Sequence, residues 1–125
     1  MDDEISAEDL HDLLGSGRDV RVVDIRSADA FRRGHLPGSE NIPFRELTGR
    51  IEELAGAERV VTVCPHGEAS VQAARLIASY EGFDGRVESM ADGVAGWQEQ
   101  YGLESEVATD GEGESENDEE PEAPF

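Results

Sequence analysis

The chain has one cysteine, Cys64, in a position that suits a nucleophile. It follows the apolar run at residues 60–63 and precedes a loop containing Gly67 and an amphipathic segment at residues 70–81. A strand, a short glycine-containing loop and a helix start in this order point backbone N–H groups and the helix dipole at the sulfur. Such surroundings lower a thiol pKa from about 8.5 and stabilise a thiolate, a persulfide or an oxyanion. The alternative is that Cys64 is a small apolar side chain at a strand end.

Other cysteine and histidine chemistry is disfavoured by the residue counts. A lone cysteine cannot form an intramolecular disulfide, a CxxC redox pair or a thiolate-rich zinc site. His11, His35 and His66 are far apart and lack the spacing of a metal site on a helix, so we expect no metal and no cofactor. A cysteine phosphatase needs Arg six residues after its nucleophile, where this chain has Ser70.

The charge is large and unevenly distributed. The 125 residues contain 30 acids and 10 bases, all of them Arg, for a formal charge of −20. Residues 104–125 hold 10 of the acids and no base. We therefore predict a single folded domain at residues 1–103, within the size limit for one core, and a disordered acidic tail at residues 104–125.

The same composition limits the partners and the location. Nucleic acids and anionic membranes require clustered Lys and Arg, so neither is an expected partner. The chain has no apolar run of membrane-spanning length, and its acidic start does not look like a secretion signal, which predicts a cytoplasmic protein. An excess of acid is typical of high-salt cytoplasm, where charge repulsion is screened within about 3 Å at 1 M salt. A halophilic source is the expectation, and an ordinary acidic protein is the alternative.

Apolar and β-branched runs alternate with helical patterns along residues 5–101. Ser6 and Ser27 are candidate N-caps of the first two helices. The predicted helices are residues 5–15, 28–33, 44–54, 70–81 and 93–101, and the predicted strands are residues 20–25, 41–42, 59–64 and 86–90. The longer strands are too apolar for a surface sheet. This order predicts an α/β domain whose mostly parallel central sheet is flanked by helices.

Three segments match a family pattern in the right order. Residues 22–43, VVDIRSADAFRRGHLPGSENIP, are similar to D-x-R followed by G-H-I-P-G-A and N-I-P. Residues 64–70, CPHGEAS, are similar to a C-x-x-G-x-x-S active loop, and residues 92–97, DGVAGW, to G-G-x-x-x-W. With these segments, residues 5–101 resemble the rhodanese family of single-domain sulfurtransferases. The resemblance implies a parallel sheet with the active loop at its C-terminal edge.

The resemblance also implies a reaction and roles for individual residues. Cys64 would take the outer sulfur of a sulfane donor and pass it, as a persulfide, to a thiol, to cyanide or to a sulfur-carrier protein. The residues implied to cradle the persulfide are Pro65, His66, Gly67, Glu68, Ala69 and Ser70. Asp24 and Arg26 would support the site, His35 is expected to be a structural loop residue, and Trp97 a core residue.

The loop departs from the family in one respect. Many relatives that use thiosulfate carry Arg or Lys in the loop, whereas this loop offers His66 and an acid, Glu68. Of the three candidate donors, this loop disfavours thiosulfate and favours a polysulfide or a persulfide. A non-catalytic rhodanese-like module that binds a partner or senses sulfur is the alternative function.

Overall fold

The computed structural model describes residues 3–105, which form one five-stranded parallel sheet. The strands are β1 (Glu4–Ile5), β2 (Arg21–Asp24), β3 (Glu40–Asn41), β4 (Arg59–Val63) and β5 (Arg86–Met90). They lie in the order β1-β5-β4-β2-β3, and every pair of neighbours is parallel. The predicted α/β architecture with a parallel sheet is confirmed. The two-residue strand β1 was not predicted.

Helices cover both faces of the sheet. They are α1 (Ala7–Gly15), α2 (Ala28–Arg33), α3 (Phe44–Arg50), α4 (Ala69–Ser79) and α5 (Gly93–Gln100), with a 3₁₀ helix at Ile51–Leu54. Side chains alternate along β4, so Val61 and Val63 pack with α1 and α5, whereas Val60 and Cys64 pack with α3 and α4. The cysteine therefore belongs to the layer between the sheet and α3 and α4.

Serine N-caps begin α1 and α2 as predicted, whereas α3 ends earlier than predicted. The Ser6 hydroxyl accepts a hydrogen bond from Asp9 N at 3.0 Å and the Ser27 hydroxyl from Ala30 N at 3.2 Å. The prediction of one helix over residues 44–54 is wrong, because the chain leaves helical dihedrals at Arg50 (φ −120°, ψ 9°) and continues as 3₁₀ helix. Gly49, a poor helix former, directly precedes this break.

The described chain ends against α2. Residues His35 and Glu104 form an antiparallel bridge with two backbone hydrogen bonds of 2.8 Å, and the Ser105 hydroxyl donates to Arg32 O at 3.2 Å. Packed contacts thus include Glu104, one residue beyond the predicted end of the domain. The remainder of the predicted tail, residues 106–125, lies outside the described residues. Within residues 3–105 no helix combines the length and the apolarity needed to cross a bilayer.

Candidate active site

Cys64 lies directly after β4, at the C-terminal edge of the sheet. Its side chain is 2% exposed and packs in the layer that contains Ile25 of the neighbouring strand end and Leu47 of α3. The Thr62 hydroxyl donates to Ser70 O at 2.7 Å, which ties the start of α4 to the end of β4. The thiol is therefore held between a strand end and a helix start, as the loop pattern indicated.

Two backbone amides of the loop point at the sulfur. Gly67 N–H donates to Cys64 Sγ at 3.1 Å and Ser70 N–H at 3.3 Å. Pro65 has no N–H to contribute. Because α4 begins at Ala69, the positive end of its dipole also faces the sulfur. These groups stabilise negative charge on Sγ and on an atom bonded to it.

The pKa of Cys64 lies below its usual value as the result of opposed effects. Burial is the largest of these effects and raises the pKa. The Ser70 hydroxyl, the Ser70 amide and the amides of Gly67 and His66 lower it, and their sum exceeds the effect of burial. The protein environment therefore favours the thiolate over the thiol.

The Ser70 hydroxyl is a buried polar group without a conventional partner. Its oxygen has no hydrogen bond of ordinary geometry within residues 3–105, and the residue is fully buried. Its effect on the thiolate is therefore electrostatic, exerted by a hydroxyl dipole close to the sulfur. A buried hydroxyl costs free energy when unpaired, so this group gains most when a sulfur anion lies beside it.

Gly67 is required by the loop geometry. Its φ of +88° suits glycine, and a Cβ at this position would collide with the carbonyl oxygen of Ala91. The residue is buried, while Pro65, His66, Glu68 and Ala69 of the same loop are exposed. The loop thus presents amides inward and side chains outward.

The third sequence segment, residues 92–97, forms backbone hydrogen bonds to the start of the cysteine loop. Val94 N–H donates to Cys64 O at 2.8 Å and Ala95 N–H to Pro65 O at 3.1 Å. Gly93, with a φ of +70°, allows this approach, because a Cβ there would collide with the backbone of Pro65 and His66. Sequence reasoning missed these contacts of α5. The glycine in the G-G-x-x-x-W pattern was the signal for them.

Asp24 and Arg26 form a closed pair beside the site. Arg26 contacts both Asp24 carboxylate oxygens, at 2.8 to 3.1 Å, and its guanidinium also donates to Gly34 O at 2.6 Å. Asp24 is fully buried and faces Val63 in the register of β2 and β4. The pair connects the end of β2 to the end of α2 next to Cys64.

His35 and Trp97 have structural surroundings. His35 is buried, its Nδ1 lies 2.7 Å from Phe31 O, and its ring stacks on Phe31 at 3.9 Å. Trp97 is buried in the layer with α1, and its Nε1 donates to Gly102 O at 3.1 Å. The prediction that Trp97 is a core residue is confirmed.

Comparison with known proteins agrees with this geometry. A family model described as Rhodanese-like domain matches residues 6–100. The chain belongs to this family. A thiosulfate sulfurtransferase GlpE of Shewanella oneidensis is 34% identical over 86 residues, covering 69% of this chain and 83% of that protein. A sulfurtransferase of Allochromatium vinosum is 31% identical over 97 residues, covering 78% and 89%.

Solved rhodanese structures share the fold. The human single-domain sulfurtransferase TSTD1 superposes with a TM-score of 0.63 at 27% identity, covering 78% of this chain and 96% of that one. Other curated relatives are longer, since the chain spans 50% and 35% of the length of two of them. Two of these relatives, those of Shewanella oneidensis and Allochromatium vinosum, are named as sulfurtransferases.

Proposed function

We propose that this rhodanese domain is a sulfurtransferase that carries sulfane sulfur on Cys64. One observation supports the proposal above others: the amides of Gly67 and Ser70 converge on a buried thiol whose pKa is lowered. A cysteine that only filled core space would not need donors directed at its sulfur. This arrangement fits a site that holds a sulfur anion.

The first half of the proposed cycle loads the sulfur. The Cys64 thiolate attacks the outer sulfur of a sulfane donor, and a new S–S bond forms as the old one breaks. With thiosulfate, sulfite leaves with the electron pair of the broken bond, and the enzyme persulfide keeps the single negative charge that the thiolate carried. No external oxidant or reductant is needed.

The second half discharges the persulfide. A thiol, cyanide or a sulfur-carrier protein attacks the terminal sulfur, and the Cys64 thiolate is released. Amides around the loop and the Ser70 hydroxyl would stabilise the anion in both states without moving, which lowers the reorganisation needed at each step. Pro65, His66, Glu68 and Ala69 would form the exposed rim that meets donor and acceptor.

Asp24, Arg26 and His35 have supporting roles in this proposal. Arg26 is already held by Asp24 and by Gly34 O, so it would position the strand end beside Cys64 rather than bind substrate. His35 would hold the loop before β3 through Phe31 and Glu104. No step of the cycle is assigned to these side chains.

A non-catalytic binding or sensing module is the alternative, and the site does not favour it. A module that only binds a partner would need neither the thiol nor donors aimed at it, whereas this chain keeps both. A module also would not discharge a bound sulfur to an acceptor.

Intact-mass spectrometry after incubation with thiosulfate, polysulfide or glutathione persulfide tests the function. The wild-type protein should gain the mass of one sulfur atom, and a thiol or cyanide should remove it. Cys64→Ser should gain no mass and transfer no sulfur, while keeping its unfolding temperature within a few degrees, since the change is small. If none of the donors produces an adduct, the proposal is refuted. A sulfur adduct that no acceptor removes would favour the sensing module.

The acidic composition bears on the cellular location and the salt concentration in which this activity would occur. We propose a cytoplasmic protein of a high-salt cell, with an acidic tail that follows the packed residues Glu104 and Ser105, because a charge of −20 is tolerated best where it is screened. Thermal unfolding measured at about 0.1 M and about 1 M salt checks this, since screening reduces repulsion between charges. A midpoint that does not rise with salt would contradict it.

A further inference from the structure

Arg45 differs from most arginines of this acidic domain. Arg21 binds Glu40, Arg50 binds Glu46 and Glu53, and Arg59 binds Glu88. By contrast, the side chains of Arg45 and Arg18 make no hydrogen bond or ion pair with residues 3–105. In a domain with twice as many acids as bases, a cation without an acidic partner is unusual.

The position of Arg45 places this cation at the edge that carries Cys64. Arg45 is the second residue of α3, and Phe44 N–H donates to Ile25 O at 2.9 Å. Ile25 N–H in turn donates to Val63 O at 3.0 Å, and Val63 precedes Cys64. The first turn of α3 is therefore linked to the end of β4 through one intervening residue.

The layer order supports the same placement. Leu47 of α3, Ile25 and Cys64 belong to one packed cluster, so the cysteine side chain lies on the α3 side of the sheet. Arg45 is exposed, and the adjacent acid, Glu46, is committed to Arg50 at 3.0 Å. Nothing in the first turn of α3 neutralises the guanidinium.

Phe44 adds an exposed apolar side chain to the first turn of α3. Within residues 3–105 it is the large apolar side chain that is left exposed, at 41%. The first turn of α3 thus carries an exposed ring and a guanidinium without a partner among residues 3–105, and its backbone is linked to the strand end that precedes Cys64. This combination fits a small ligand with an oxyanion.

We propose that Arg45 determines donor specificity by holding an oxyanion of the sulfane donor at the Cys64 site, with Phe44 as the apolar wall. This inference rests on the proposed sulfur transfer. It supplies from α3 the cation that the cysteine loop lacks. The ligand class is a sulfane donor with a sulfonate or carboxylate group, and the oxyanion departs with the leaving group when the S–S bond breaks.

Alkylation of Cys64 tests the cation without requiring turnover. Iodoacetate is an anion and iodoacetamide is neutral, and the chain has no other thiol to compete. At low salt, Arg45→Gln should slow iodoacetate by about fivefold and leave iodoacetamide within about twofold. Arg18→Gln is the matched control, because Arg18 likewise has no side-chain partner within residues 3–105 and lines a cleft with Arg59 and Arg86 where β4 and β5 begin. It should change neither rate.

Steady-state kinetics then identify the oxyanion. Arg45→Gln should raise the KM for thiosulfate about tenfold with a smaller change in kcat, and Arg45→Lys should lie between, since it keeps the charge but loses the two-pronged contact. An effect on glutathione persulfide alone would assign the carboxylate in place of the sulfonate. Equal behaviour of Arg45→Gln and Arg18→Gln in both assays would overturn the inference and leave the sulfur transfer intact. Wild-type protein that transfers no sulfur would instead refute the proposed function, and the donor assignment with it.

Discussion

The two edges of the central sheet treat buried polar groups in opposite ways. At the edge where β4 and β5 begin, Arg59 and Arg86 bind the carboxylate of Glu88, a residue in the middle of β5 that is 2% exposed, at 2.7 and 3.1 Å and at 3.2 Å. Where β4 ends, two amides and a hydroxyl without a conventional partner surround the Cys64 thiol. Charges that satisfy each other stabilise the fold, whereas donors gathered around one atom leave it ready to bear charge.

The strongest test of this contrast is Gly67→Ala. The new Cβ would meet Ala91 O at a positive φ, so the loop must shift and its amides would no longer point at Cys64. Sulfur transfer should fall by about 100-fold, as expected when a fixed donor to an anion is lost. Gly17→Ala is the control, since its φ of +80° carries the same strain while nothing lies within 4 Å of the added Cβ. Activity losses of similar size in both variants would contradict the role of the loop.

Glu88→Gln tests the opposite edge. It leaves Arg59 and Arg86 without their carboxylate, and breaking such a buried pair should lower the free energy of unfolding by about 2 to 3 kcal/mol. Sulfur transfer per folded molecule should stay within about twofold, because the Glu88 carboxylate lies on the α1 side of the sheet and Cys64 lies on the side of α3 and α4. Denaturant unfolding and transfer assays measure both quantities. Loss of activity without loss of stability would contradict the assignment of Glu88 to fold stability and of the Cys64 surroundings to sulfur transfer.

Ser70→Ala gives a smaller effect at the thiol. The hydroxyl lowers the pKa of Cys64, so its removal should raise the pKa and reduce the thiolate fraction at neutral pH. The pH profile of iodoacetamide alkylation should move to higher pH, with a rate at pH 7 lower by about two- to fivefold. Ser89→Ala removes the second buried hydroxyl that lacks a conventional partner within residues 3–105 and should leave the profile in place. A shared shift would mean that the change reflects general packing.

Much of this arrangement could be predicted from local sequence. The starts of the first two helices could be predicted from Ser6 and Ser27, because an N-cap hydrogen bond involves only residues within one helical turn. The strand, loop and helix around Cys64 are likewise contiguous, and the structure confirms the loop at the C-terminal edge of the sheet.

The features that sequence reasoning missed depend on distant residues. Strand β1 is defined by pairing with β5, and two residues carry no periodic signal. In the sequence Arg45 looks like any exposed helix residue; only the structure shows that it has no partner among residues 3–105 and that its helix begins beside the ends of β2 and β4. Chain contacts across more than 20 residues, such as Val94 with Cys64, decide where the loop amides point.

The solitary cysteine has a kinetic consequence. In cysteine pairs a resolving thiol attacks the loaded one and discharges it as a disulfide within the same molecule. This chain has no second thiol, so a loaded Cys64 has no resolving thiol in the same molecule. Because Cys64 is 2% exposed, the thiol of another copy would also be kept from the loaded sulfur. The lifetime of the loaded form would then be set by the arrival of an acceptor small or well shaped enough to reach the sulfur. The domain would behave as a sulfur reservoir whose release is timed by its partner.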